Sequence, residues 1–314
     1  MYPSISDISY FLPKKISLKK KFKTQRHFKK IYEKTGIKNV SLSSKKQTAL
    51  DLAIKSSNKI LKYKKNLIDA LIYVTQSPEY NLPSGSCILQ DKLGLKKNII
   101  AFDVNQGCSG YIYGLSLASS LIQSNQSKNV LLICSDTYRK YIKDNNNSCF
   151  PIFADGASST IISRSSKKKC FVDFEFGTDG SGYMDLIVKN SGSNYNGKDP
   201  EIFMDGKKVL MFTMSNIPKL VNKILIKNGL TKKDIKYFIF HQASKVVIEN
   251  LKKKLDLDED KVYHDLKNLG NTVSSTIPIN LRDLIKNKKI KRGDKILLAG
   301  FGVGYSMGAA ILNW

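Results

Sequence analysis

Between Asn98 and Gln123 the chain changes character at a single cysteine. Ile99 to Val104 is short, apolar and partly β-branched, the pattern of a strand covered on both faces. After Gly107 the apolar residues Tyr111, Leu115, Ala118 and Ile122 recur at helical spacing, so Cys108 falls at or near a helix N-terminus. Unpaired N–H groups and the positive end of the helix dipole favour a thiolate there, which predicts a lowered thiol pKa and a candidate nucleophile. Free cysteines more often pack cores, so the reading of Cys108 depends on partners elsewhere in the chain.

The strand-to-helix step recurs along the chain. Ile5 to Phe11, Ala70 to Gln76 and Val130 to Ser135 read as strands, Lys46 to Lys62 as an amphipathic helix, and Leu82 to Ser86 as a turn into another helix. After the turn Ala154-Asp155-Gly156 and a further strand the pattern restarts: strand-like Phe171 to Gly182, helical Val209 to Lys227, then a short strand, Tyr237 to Phe240, running into His241 and the helix Ser244 to Leu255. Lys295 to Phe301 is a strand, followed by a glycine loop and a last strand ending at Trp314. Alternation of this kind predicts an α/β fold with sheets covered on both faces. In each half a strand delivers a reactive residue, Cys108 and then His241, to the start of a helix. That predicts an internal duplication with a boundary near Ser163 to Cys170, giving halves 1–165 and 166–314.

The net charge of +26 raises nucleic-acid binding as a function class. The cations are nearly all lysine, however, with arginine only at Arg26, Arg139, Arg164, Arg282 and Arg292, and they are spread along the chain without a nucleic-acid-binding signature. An acidic protein partner suits the charge equally well. A lysine-rich, non-catalytic binding protein is the different-class alternative. The 5 cysteines include no CxxC-type pair, so no metal site is expected. The N-terminus lacks an apolar core of signal-peptide length, and the nearest approach to a membrane span is the glycine-broken Ile296 to Leu312. The expectation is a protein of the reducing cytoplasm, with no membrane insertion and no nucleic-acid partner.

Three groups have complementary chemistry. Cys108 is the nucleophile; His241, in FHQAS at a strand end, is a base, acid or donor at neutral pH; Asn271, in LGNTVSST, is a neutral amide donor able to hold an oxyanion. His27 and His264 read as ordinary structural histidines. Gly302, Gly304 and Gly308 resemble a dinucleotide fingerprint, but only 6 residues follow Gly308, too few for the helix and strand of such a unit. A glycine loop there instead brings a backbone N–H near a reacting carbonyl oxygen, completing an oxyanion hole with the N–H of Cys108.

Taken together, YFLP near the start, TGI at Thr35, AFDVNQGCSGYIYGL, FADGAS at Phe153, FHQAS, LGNTVSSTIP and GFGVGYSMGAA resemble the β-ketoacyl-[acyl carrier protein] synthase III family of the thiolase-fold superfamily. The resemblance runs nearly end to end. It implies a thiolase-like fold, two duplicated halves in a layered αβαβα architecture, the first carrying the nucleophilic cysteine and the second the histidine and asparagine. The implied activity is decarboxylating acyl transfer by a homodimer. Cys108 takes an acyl group as a thioester, its oxygen held by the N–H groups of Cys108 and Val303. A malonyl-[acyl carrier protein] then loses CO₂, with His241 and Asn271 donating to the enolate, and the carbanion attacks the acyl-Cys108. A non-decarboxylating acyltransferase on the same fold is the alternative. No permanently bound cofactor is implied; the substrates are acyl-CoA or acyl-[acyl carrier protein] and the malonyl carrier. Lys252, Lys253 and Lys254 match the place where the family docks its carrier protein. Where the family commonly sandwiches the adenine of coenzyme A, this sequence has Lys30 and Asn147, and it has Val40 where an arginine usually follows TGI. These differences imply carrier-borne acyl donors, or a specialised pathway making a short 3-oxoacyl unit for a surface sugar or secondary metabolite.

Overall fold

A computed structural model describes residues 2–22, 24–166 and 170–314; the expected boundary, Ser163 to Cys170, includes 167–169, which lie outside the described residues. Up to Ser165 the chain forms β1 (Tyr2–Phe11), β2 (Lys14–Ser17), α1 (Leu18–Lys21), α2 (Gln25–Thr35), β3 (Asn39–Leu42), α3 (Ala49–Leu61), β4 (Ala70–Val74), α4 (Gly85–Lys92), β5 (Ile100–Val104), α5 (Gly110–Gln123), β6 (Asn129–Asp136) and β7 (Gly156–Ser165). From Cys170 it forms β8 (Phe171–Thr178), β9 (Leu186–Lys189), β10 (Glu201–Met204), α6 (Gly206–Lys227), β11 (Ile235–Phe240), α7 (Lys245–Leu255), α8 (Leu266–Leu269), α9 (Thr276–Lys286), β12 (Lys295–Gly302) and β13 (Ser306–Asn313).

Two main sheets result, ordered β1-β7-β6-β4-β5 and β11-β12-β13-β8. β4 shows why they are buried on both faces. Its Ala70, Ile72 and Val74 face one apolar cluster and its Leu71 and Tyr73 another, following the two-residue period of a strand. The first cluster lies between the sheets. There α5, through Tyr111, Ile112 and Leu115, and α9, through Ile277, Leu281 and Leu284, meet Leu132 of one sheet and Ile239, Leu298 and Ala310 of the other. α3 and α4 cover the outer face of the first sheet, α6 and α7 that of the second. The layers therefore run α, β, α, β, α, and the expected thiolase-like layering is present.

Several elements differ from the expectation. α9 is not assigned from the sequence pattern; its Pro278 sits in the first helical turn, where its missing N–H has no partner to lose. α6 begins at Gly206 rather than Val209, because the Asp205 carboxylate caps the N–H groups of Lys207 and Lys208. By length and composition α6 is apolar enough to cross a membrane, a stretch the hydropathy reading passed over; its Ile217, Val221 and Ile224 lie buried on the second sheet. The small ribbon β9–β10 is also unanticipated, and it brings Leu186, Ile202 and Met204 over the site.

β12 runs tightly against the turn that carries Cys108. A Cβ on Gly300 would lie 2.7 Å from the Cys108 carbonyl oxygen and 2.8 Å from the Ser109 Cα, so β12 can reach that turn only without a side chain. Gly300→Ala is expected to lose at least about 2 kcal/mol in urea unfolding, because backbone atoms on both sides must separate. Wild-type stability in that variant would disprove the close contact.

Candidate active site

Cys108 follows β5 and precedes α5, whose N-cap is Ser109. It is 3% exposed, and the backbone N–H groups of Cys108 and Val303 act on its sulfur in the direction that favours the thiolate. A Cβ on Gly302 would lie 3.0 Å from Sγ, so the second sheet's backbone leaves the sulfur just enough room. The expected lowering of the thiol pKa is overturned. Burial, reinforced by the Asp136 carboxylate, pushes the thiol well above its ordinary value, outweighing the N–H groups that favour the thiolate. Cys108 is a neutral thiol at rest.

His241 extends the β11–β12 ladder, its N–H donating to the Ala299 carbonyl at 2.8 Å. Burial holds its imidazole pKa down at about 3, so it too is neutral. Its Nδ1 lies 2.8 Å from Thr276 Oγ1, and that hydroxyl lies 3.1 Å from the Val273 carbonyl. Donation of the Thr276 hydroxyl to Val273 assigns the ring proton to Nδ1 and leaves Nε2 as a base. The Phe301 ring stands edge-on to the imidazole at 5.8 Å.

Asn271 is pinned through its backbone: its N–H donates to Ile152 and its carbonyl accepts from Ala154. Its Oδ1 accepts the Val273 N–H at 2.9 Å, which leaves Nδ2 as the free donor of the amide. The Gln242 amide, wholly buried, joins the two segments by donating to the Gly270 carbonyl at 2.7 Å and accepting from Asn280 Nδ2 at 2.9 Å. Asp136 ties the same turn to the first sheet, accepting from the Gln76 N–H at 2.8 Å and the Ser274 hydroxyl at 2.5 Å. Burial raises its pKa to about 6.

Cys108, His241 and Asn271 line one cavity of about 80 Å³, with Phe301 and Gly302 beside them. It shares Ile152, Met204, Leu210, Ser244 and Val247 with an open vestibule of about 710 Å³, which makes a path from the surface to the thiol. Lys30, Lys34, Lys207 and Asn147 line that vestibule, and among the described residues no ion pair holds those three ammonium groups. Val40 is elsewhere, fully buried against Gly270. Lys252, Lys253 and Lys254 stand on the last turn of α7, about 13 Å along the helix from the end that borders the cavity. The Lys252 ammonium is engaged by Glu249 and Glu259, while Lys253 and Lys254 are exposed. No group of three metal-binding side chains exists among the described residues. Gln242, Thr276, Ser274 and Asp136 carry no local signal of a role, since their partners are distant in sequence.

The chain matches the family profile of 3-oxoacyl-[acyl-carrier-protein (ACP)] synthase III over residues 102–180 and that of the same enzyme's C-terminal region over residues 225–314. It is 36% identical over 293 residues to a beta-ketoacyl-[acyl-carrier-protein] synthase III of Clostridium novyi, covering 90% of each chain. The Fusobacterium nucleatum protein of that name is 33% identical, over 99% of this chain and 98% of that one. A crystal structure of 3-oxoacyl-(acyl-carrier protein) synthase from Burkholderia xenovorans superposes with a TM-score of 0.93 at 32% identity, covering 99% of this chain and 94% of that chain.

The buried imidazole has a consequence for pH. Its folded pKa of about 3 lies below the ordinary 6.5, so its contribution to stability is complete above pH 6.5 and drains away as pH falls toward 3. The ring resonances of His241 are expected not to titrate between pH 8 and 5, and His241→Gln should flatten the acid-side fall in Tm. A His241 titration centred near 6.5 would show a solvated ring.

Proposed function

The chain belongs to the 3-oxoacyl-[acyl-carrier-protein] synthase III family, and on that premise we propose that it condenses a Cys108-bound acyl group with a malonyl thioester, releasing CO₂. The observation that carries this reading is the convergence of a neutral thiol, a neutral imidazole and an oriented amide on one cavity reached through a vestibule.

The resting protonation states suit the first stage. The Cys108 thiol gives its proton to His241 Nε2 as the sulfur attacks the donor's thioester carbonyl. The oxygen becomes an oxyanion facing the N–H groups of Cys108 and Val303, which are already aimed at this point and need no reorganisation. Collapse breaks the donor's carbon–sulfur bond, and the proton leaves with the departing thiol. In the second stage the malonyl carboxylate departs as CO₂ and its electron pair forms an enolate. Asn271 Nδ2 donates to that oxygen. His241 donates from Nε2 once its ring proton has moved there, a change the Thr276 hydroxyl accommodates by turning to donate to Nδ1. The enolate carbon attacks the acyl carbonyl, the carbon–sulfur bond to Cys108 breaks, and the thiolate takes a proton from solvent water.

In this reading residues 1–165 bring the nucleophile and residues 166–314 the two donors. The partner is an acidic acyl carrier protein. Its docking is supported by the unpaired Lys30, Lys34 and Lys207 around the vestibule, with Lys253 and Lys254 as more distant contacts. Lys30 and Asn147 offer no flat ring or guanidinium for an adenine, which favours a carrier-borne donor over coenzyme A. The enzyme is read as a homodimer of a reducing compartment: the exposed Tyr80 and Leu82 are apolar surface for a second copy to cover, and no disulfide joins any of the five cysteines.

Incubation with acyl donors and intact-mass measurement tests the reading. Cys108→Ala should take up no acyl group. His241→Ala and Asn271→Ala should still be acylated, His241→Ala more slowly for want of its base. Both should lose at least about a hundredfold in condensation with malonyl-carrier protein, the order attached to one oxyanion donor. Acylation of the Cys108 variant would remove the nucleophile assignment, and turnover without release of CO₂ would select the non-decarboxylating alternative. Thr276→Val should depress condensation more than acylation, with wild-type ratios between the two stages excluding its part in the proton change.

A further inference from the structure

The position of the thioester divides the space around Cys108. The donor's arm arrives through the vestibule, and the carbonyl oxygen turns toward the N–H groups of Cys108 and Val303. The rest of the acyl group must leave on the remaining side. A second pocket of about 300 Å³, open to solvent and bounded by Val303, shares Leu186 with the reaction cavity. It abuts the residue before the nucleophile: a Cβ on Gly107 would meet Val303 Cγ1 at 2.8 Å and the Tyr138 hydroxyl at 3.2 Å, with Gln76 Oε1 closer still.

The walls of this chamber are not those of a plain hydrocarbon site. Leu186, Ile202 and Val303 are apolar, but Gln76, Asn105 and Tyr138 also line it. The Tyr138 side chain is 3% exposed, and its hydroxyl donates to Gln76 Oε1 at 2.5 Å. That bond, with the Gln76 N–H on Asp136, fixes the amide and leaves its Nε2 with no acceptor among the described residues. The Tyr138 oxygen keeps a free lone pair. A saturated chain filling the chamber would cover the Nε2 donor without accepting its hydrogen. An acyl hydroxyl would accept from Nε2 and donate to Tyr138, satisfying both.

We infer that the acyl group carried by Cys108 is a short hydroxyacyl group, selected by the paired Gln76 amide and Tyr138 hydroxyl in the chamber behind the nucleophile. This rests on the proposed acylation of Cys108 and names the class of group transferred. The step is a thioester exchange: the Cys108 sulfur–carbonyl bond forms, the donor's carbon–sulfur bond breaks, and the thiol proton leaves on the donor's thiol.

The N-acetylcysteamine thioesters of butyrate and 3-hydroxybutyrate test it, since they are matched in chain length and need neither adenine nor carrier contacts. Initial rates of Cys108 acylation, read by intact mass, should favour the hydroxylated thioester by about tenfold or more. Tyr138→Phe and Gln76→Leu should each bring that ratio toward one, and either variant suffices should the other fail to fold. Equal or faster transfer of butyrate to the wild-type protein, or an unchanged ratio in a folded variant, overturns the inference alone. Failure of both thioesters to acylate Cys108 removes the proposed acylation and this inference with it.

Discussion

The backbone of β12 passes directly against the turn that carries Cys108, and only the absence of side chains at Gly300 and Gly302 permits that approach. Much of the site follows from this contact. It places the Val303 N–H at a sulfur that belongs to the other sheet. His241, whose N–H bonds to Ala299 on the same strand, is registered against the nucleophile by one ladder. Asn271 is set from the opposite direction, by bonds to Ile152 and Ala154 and by the bridge that Asp136 makes to Ser274. The reacting groups thus hang on backbone hydrogen bonds, which hold positions more tightly than long side chains on loops do.

Burial is the second constraint, and it acts on both partners at once. Removing water raises the thiol pKa and lowers that of the imidazole, so the thiolate–imidazolium pair is disfavoured at rest. Charge arises only during reaction, and in the proposed mechanism the N–H groups of Cys108 and Val303 are the donors that receive it. The same neutrality serves the later stage, where an imidazole and an amide must donate to an enolate without carrying charge of their own. Asp136 contributes to the balance. Its carboxylate adds to the upward pressure on the thiol while joining the two halves of the hydrogen-bond network.

The strand, the cysteine and the helix were legible because two periodicities meet there within a few residues. The HQAS and GNT segments were legible as motifs. What could not be read locally depends on partners far along the chain. Gln242 gains its place from Gly270 and Asn280, and Thr276 from His241. The thiol's acidity was misjudged for the same reason: a helix N-terminus is visible in sequence, whereas the shell of Phe153, Leu186 and Val303 that excludes water from Cys108 is assembled from separate elements. α9 carries Pro278, a residue whose effect reverses between the first turn of a helix and its interior. The β9–β10 ribbon is too short to carry a hydrophobic signal of its own, yet it contributes Leu186 and Met204 to the wall of the reaction cavity.

Val303 borders the second cavity and shows how one position in a glycine loop can act twice. Its N–H faces the sulfur and requires nothing of the side chain, so a valine is compatible with the oxyanion role. The side chain takes a separate place, against Gly107 and in the wall of the chamber beyond. A β-branched residue has few rotamers, so this wall is stiff. The chemistry of transfer therefore resides in backbone groups that the side chain does not alter. On the inference drawn above, the choice of what is transferred falls to the side chains of Val303, Tyr138 and Gln76, so the two can vary independently on the same strand-and-loop frame.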